Sequence, residues 1–170
     1  MADTATAAAA RHTISLYVSN KPGVLIRVAL VFSRRGYNID SLVVSETEDA
    51  RYSRMNIVAK GDRQTLEQIL KQLNKLVDVI HARDYSFEEV IQKELALFKI
   101  DCPPSRRTEA FQVVEAFKAK TIDLTDTTLA VEATGDTGKL DALETLLRGF
   151  GIREMVRTGK VLMARGEAAT

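Results

Sequence analysis

The same order of hydrophobic periodicities runs twice along the chain, and this repetition limits its architecture more than any other feature. From Thr13 to Ser19, Ile14, Leu16 and Val18 alternate with Thr13, Ser15, Tyr17 and Ser19, the period of a strand with one buried face. Asn20-Lys21-Pro22-Gly23 breaks the alternation; Asn suits a helix cap, and Pro is tolerated in a first turn because its missing N–H costs nothing there. Leu25, Val28, Ala29 and Phe32 then recur at helical spacing, and Gly36 supplies the stop. Ile39 to Ser45 and Met55 to Ala59 form a hairpin around the polar turn Glu46 to Arg51. Asp62 caps a second helix with Leu66, Ile69, Leu70 and Leu73 on one face, and Val77 to Ala82 returns as a strand. The order is βαββαβ, which with both helices on one side of a four-stranded antiparallel sheet is the ferredoxin-like arrangement.

The second half repeats that order. Ala96 to Asp101 reads as a strand, Pro103-Pro104 stops it, and Ser105 caps a helix carrying Ala110, Val113, Val114 and Phe117. Strands Ile122 to Leu124 and Leu129 to Ala133 flank the turn Thr125 to Thr128; Leu140, Leu143 and Leu147 mark a helix stopped by Gly149 and Gly151. Ile152 to Val156 and Val161 to Met163 close the unit with one strand more than the first has. The expected class is α+β, two ferredoxin-like units: a tail over 1–11, a first domain over 12–87, a linker over 88–92 and a second domain over 93–166.

Composition removes several function classes. Twenty-four Lys and Arg against twenty-three Asp and Glu leave a net charge of +1, no field with which to gather nucleic acid or an anionic membrane. No stretch reaches the roughly 18 consecutive apolar residues of a membrane span, and the first ten residues lack the basic start and apolar run of an export signal. A cytoplasmic protein is expected. The single cysteine, Cys102, forbids an intrachain disulfide, and His12 and His81 have no partner at i+3 or i+4 for zinc. No Ser-His-Asp or Cys-His constellation can be assembled, so no catalytic residue and no metal site is assigned. Gly135-Asp136-Thr137-Gly138-Lys139-Leu140 has the wrong spacing for a phosphate loop and reads as a helix start. Arg34-Arg35 and Arg106-Arg107 read as solvated helix ends, and Glu88-Glu89 as polar linker. The βαββαβ order is shared with the RNA recognition motif, but Arg51 to Ile57 holds one aromatic residue and none of that motif's third-strand pattern.

The segment Asn20 to Val24 places a strand end, an amide side chain and a glycine at a helix N-terminus, where free N–H groups and the helix dipole suit a carboxylate. From those residues alone a plain capped loop is the better reading, and Asn38 alone is best read as a turn residue tolerating positive φ after Gly36. Taken with Lys21-Pro22-Gly23-Val24-Leu25 and Leu73 to Val79, however, Arg34 to Leu42 resembles the ACT domain of the small regulatory subunit of acetolactate synthase, also called acetohydroxyacid synthase. Glu94 to Lys99 and Gly138 to Leu143 resemble that family's C-terminal half, so the likeness covers roughly Thr13 to Gly166.

The resemblance implies a non-catalytic subunit that binds a branched-chain amino acid, usually valine, raises the activity of a separate large subunit and inhibits it when the effector is bound. That large subunit carries thiamine diphosphate, Mg and FAD; no cofactor is expected on this chain. In the family the effector lies between the ACT domains of two chains, contacted by the loop matching Asn20 to Val24 and by the amide matching Asn38. The implied effector site is therefore Asn20, Lys21, Pro22, Gly23, Val24, Leu25, Asn38 and Ile39, in a homodimer with its ACT sheets joined edge to edge. N–H groups of Gly23 and Val24 with the two amides would hold the zwitterion, and Leu25 with Ile39 would supply an apolar wall. The loop's central residues vary within the family, so Lys21-Pro22 bears on loop geometry and effector preference; the C-terminal half is expected to serve assembly and contact with the large subunit. An ACT-type sensor for another enzyme is the alternative.

Overall fold

The computed structural model describes residues 10–170; most of the expected N-terminal tail lies outside them, and Ala10 and Arg11, assigned to that tail, open the first strand instead. The chain runs β1 (Ala10–Ser19), α1 (Val24–Ser33), β2 (Asn38–Glu46), β3 (Tyr52–Gly61), α2 (Arg63–Leu73) and β4 (Val79–Asp84). It continues through β5 (Val90–Asp101), a 3-10 turn at Pro104–Arg106, α3 (Arg107–Ala116), β6 (Lys120–Leu124), β7 (Thr128–Gly135), α4 (Thr137–Arg148), β8 (Ile152–Arg157) and β9 (Val161–Ala164). The first sheet is ordered β2-β3-β1-β4 and the second follows β6-β7-β5-β8, the ferredoxin-like order in both, with antiparallel neighbours. Contacts divide the chain into one unit that extends to Val90 and includes Leu162–Thr170, and a second spanning Ile91–Val161.

In the first unit Ile14, Leu16, Val18, Met55, Ile57 and Ala59 face the helices and meet Val24, Val28, Phe32, Leu66, Ile69 and Leu73. Because β1 is a central strand, Thr13 and Ser15 on its other face are also buried, which alternation alone could not foretell. The stripe of α1 differs from the sequence expectation. Val24, Val28 and Phe32 point inward, whereas Leu25 is 42% exposed, beside exposed Ile26 and Leu30. The run VLIRVALVF is apolar on nearly every face, so spacing left its phase open and packing chose it. The second unit builds an equivalent core from Phe98, Ile100, Leu129, Val131, Leu140, Leu143 and Leu147.

Caps explain where the helices begin. Asp62 and Asp136 accept hydrogen bonds from the N–H groups of Thr65 and Lys139, each at 2.8 Å, covering donors that a first turn leaves free. Ser105 does not cap: Pro104–Arg106 tightens into a 3-10 turn, and α3 starts after Arg106 without a side-chain cap. β4 begins at Val79 rather than Val77, which is 96% exposed on the preceding turn. Val90 to Gln92, read as linker, are the first residues of β5. Among the described residues no helix is long and apolar enough to cross a membrane.

Candidate functional site

The loop between β1 and α1 owes its shape to Gly23. Its φ of +83° caps α1 without a side-chain hydrogen bond, and a Cβ there would lie 3.4 Å from Nη1 of Arg27 in a conformation that disfavours any other residue. Asn20 is not the cap. Its Nδ2 donates to Oε2 of Glu46 at 3.1 Å and to the carbonyl of Ala50 at 3.0 Å, and its N–H donates to the carbonyl of Arg51 at 2.7 Å. The amide thus ties the loop to the β2–β3 turn. Val24 N–H donates to the Lys21 carbonyl over a long 3.3 Å; the N–H groups of Gly23, Leu25 and Ile26 have no hydrogen-bond acceptor among the described residues. These donors open a ten-residue helix and are the positive end of its dipole. Arg27, 2.6 Å from Asp78, places a partly neutralised cation beside them.

The side chains divide by role. Val24 is 2% exposed in the core, so only its backbone faces the loop, while Lys21, Pro22 and Leu25 are exposed. Asn38 opens β2 and does not have positive φ; Gly36, at +67°, takes that conformation. Asn38 Nδ2 donates to Oδ1 of Asp40 at 2.9 Å, and Asp40 also pairs with Arg11 and Lys60. Ile39 is half-buried against the core and lines, with Asn38, Tyr37 and Ala29, an open hollow between α1 and β2.

Within one chain the two asparagines do not meet. Asn38 pairs with Lys60, which pairs with Arg11, whereas Asn20 follows Ser19, which pairs with Tyr52. From rung 11 to rung 19 the strand advances about 26 Å at roughly 3.3 Å per residue. The two parts of the expected site therefore sit at opposite ends of the first sheet. What joins them is β2, an edge strand that starts at Asn38 and ends at Glu46, the residue Asn20 holds.

Sequence reasoning missed a cleft on the sheet face turned away from the helices. Tyr17 on β1 stacks between Tyr52 on β3 and His81 on β4, with ring centroids at 5.0 and 5.6 Å, and the Arg54 guanidinium lies 5.7 Å from the Tyr17 ring. Thr47, Glu48 and Asp49 complete its wall together with Ala169 and Thr170. Hydrogen bonds from the Arg51 side chain and N–H hold the Asp49 carboxyl down to about 2, so that acid is ionised and paired. Only the alternation that put Tyr17 on the polar face pointed this way; its neighbours come from strands 30 and more residues distant. No cluster of His, Cys, Asp and Glu suited to a metal occurs among the described residues, and Cys102 is buried in the second core.

Two family descriptions match the chain: AHAS small subunit-like ACT domain over residues 14–81, and small subunit of acetolactate synthase over residues 93–166. A probable acetolactate synthase small subunit from Methanothermobacter thermautotrophicus is 47% identical over 156 residues, covering 91% of this chain and 93% of that one. A putative acetolactate synthase small subunit from Mycobacterium tuberculosis is 48% identical over 155 residues, covering 91% and 92%. The crystal structure of the acetolactate synthase small subunit from Thermotoga maritima superposes with a TM-score of 0.82 at 40% identity, covering 94% of this chain and 99% of that chain.

Proposed function

The chain belongs to the acetolactate synthase small-subunit family, and on that premise we propose that it binds a branched-chain amino acid between two copies of its first unit and so controls a catalytic large subunit. The observation that carries this reading is the division of the expected site between the two ends of one edge strand. If two β2 strands pair antiparallel about a twofold axis, Asn38 of each chain comes beside the partner's opposite end of β2, where Glu46 and the Asn20–Val24 loop lie. Each half then completes the other, giving two equivalent sites. Pairing also satisfies an edge otherwise open to aggregation and covers part of the exposed apolar face formed by Leu25, Ile26 and Leu30.

The chemistry at that junction suits a small zwitterion. Free N–H groups of Gly23 and Leu25 would take the carboxylate at the positive end of α1, and the Asn38 carboxamide oxygen, not used by its bond to Asp40, would take the ammonium. Leu25 and Ile39 would enclose an aliphatic side chain. Valine fits this description, and so do leucine and isoleucine. On this reading the large subunit carries the reaction with its own thiamine diphosphate, Mg and FAD, and this chain activates it until effector binding favours an inhibited arrangement. A preference of about 1–3 kcal/mol between the two arrangements changes activity roughly 5–150-fold.

Calorimetry on the full chain tests the site. Valine should bind to the unaltered protein, and Asn38→Ala and Gly23→Asp should each weaken binding at least about tenfold, the aspartate because it adds strain and charge where a carboxylate must sit. Unchanged affinity in both variants would remove these residues from the site. Acetolactate formation by the reconstituted pair, with and without valine, leucine or isoleucine, tests the regulatory consequence.

A further inference from the structure

Thr170 is held unlike the residues before it. Residues 165–169 are exposed, yet Thr170 is 6% exposed and forms part of the wall of the cleft beside Tyr17, Arg54 and His81. Its main-chain oxygen accepts a hydrogen bond from Nη1 of Arg54, and Nε2 of His81 lies 3.2 Å from the same oxygen. Donors from β3 and β4 therefore converge on one oxygen, and the Thr170 hydroxyl accepts from the N–H of Ala164 at 2.6 Å. Side-chain donors from two strands thus form a receptor for one acceptor oxygen, and a main-chain oxygen fills it.

The wall of the cleft extends that chemistry. Glu48 lines it, is exposed and has no ion-pair partner among the described residues, whereas Asp49 is engaged by Arg51 at 2.6 Å. The Arg54 guanidinium at one side and an unengaged carboxylate at another match the two charges of a zwitterion. The rings do not suit a nucleic-acid base, because Tyr17 is stacked by Tyr52 and His81 and has no open face to offer. We propose that Tyr17, Arg54, His81 and Glu48 form a second ligand site, for a free α-amino acid with a small branched side chain, and that Thr170 is its tethered competitor. The carboxylate of the ligand takes the place of the Thr170 oxygen, and its ammonium faces Glu48. The exposed segment from Arg165 to Ala169 is then released, so occupancy of this site is read out as the freeing of that segment. The site is distinct from the β2-edge site and does not depend on it.

The test uses the full chain and nuclear magnetic resonance, with L-threonine as the probe and the His81 ring signal and the Ala164 amide as reporters. Because the tether presents Thr170 at an effective concentration in the millimolar range, the unaltered chain should respond only to high threonine. Thr170→Gly, which removes the buried side chain and its bond to Ala164, should lower the concentration needed by about tenfold or more. Arg54→Gln, combined with Thr170→Gly, should raise it again by a similar factor. Accelerated exchange of the Ala164 amide in the unaltered chain at high threonine would show that the ligand displaces the tether. N-acetyl-L-threonine, lacking the ammonium, should bind more weakly. Equal binding would remove Glu48 and the amino-acid class from the proposal. Reporters that stay still in Thr170→Gly at the solubility limit of threonine, or that move equally when Arg54 is also replaced, would overturn it. Asn38→Ala should leave the response unchanged; loss there would mean that the reporters follow the other site, and would also overturn it.

Discussion

Tyr37 and Gly61 fit together so closely that neither can change alone. The ring of Tyr37 lies where a Cβ on Gly61 would be, 2.0 Å from its Cζ, and the Tyr37 hydroxyl donates to the carbonyl of Asp62 at the start of α2. Burial, and secondarily the nearby Asp62 charge, raises the pKa of that phenol, which keeps it a donor over the ordinary pH range. Gly61→Ala should therefore destabilise the first unit by about 1–3 kcal/mol, because the ring has to leave its packing. Chemical denaturation measures it, and Tyr37→Ala in the same chain should recover part of the loss if the clash is the cause. Neither residue was legible as special in the sequence. Their contact depends on where β2 enters the sheet, which no local pattern encodes.

At the scale of elements, caps and faces behave differently. Asp62 caps α2, and the Thr65 N–H holds its pKa below the usual carboxylate value. The folded state thus favours the ionised acid: its contribution to stability is complete above the unfolded value and is lost as pH falls through the folded one. Asp62→Ala should lower the thermal midpoint near neutral pH, and the difference from the unaltered chain should shrink as the pH is taken below about 3.9, the unperturbed carboxyl value. A difference that is constant with pH would separate the cap from its charge. The outer face of α1 makes the other prediction. Leu30 is 44% exposed, so Leu30→Lys should cost the fold little, yet it places a charge on the surface assigned to the dimer. Sedimentation equilibrium should show weaker self-association, with the far-ultraviolet circular dichroism unchanged.

For the whole molecule, the regulatory reading divides labour between the units. A fragment ending near Phe87 retains all six elements of the first unit but lacks Thr170, whose oxygen Arg54 and His81 hold. It should activate the large subunit in part and respond poorly to valine in a reconstituted assay. A full valine response from that fragment would show that the first unit alone carries the control.

The order of elements, the two ferredoxin-like units, the Asp62 cap and the family were all readable from the sequence, because alternation, helical spacing and capping are local patterns that leave a trace within a few residues. The phase of α1, by contrast, was decided by packing, since a helix that is apolar all round has no preferred inward face until a sheet is laid against it. The placement of Asn20 and Asn38 at opposite ends of one sheet follows from strand order, which no local pattern encodes. The meeting of Tyr17, Arg54, His81 and Thr170 has the same origin: residues up to 153 positions apart became neighbours only when register and the course of the last segment were fixed.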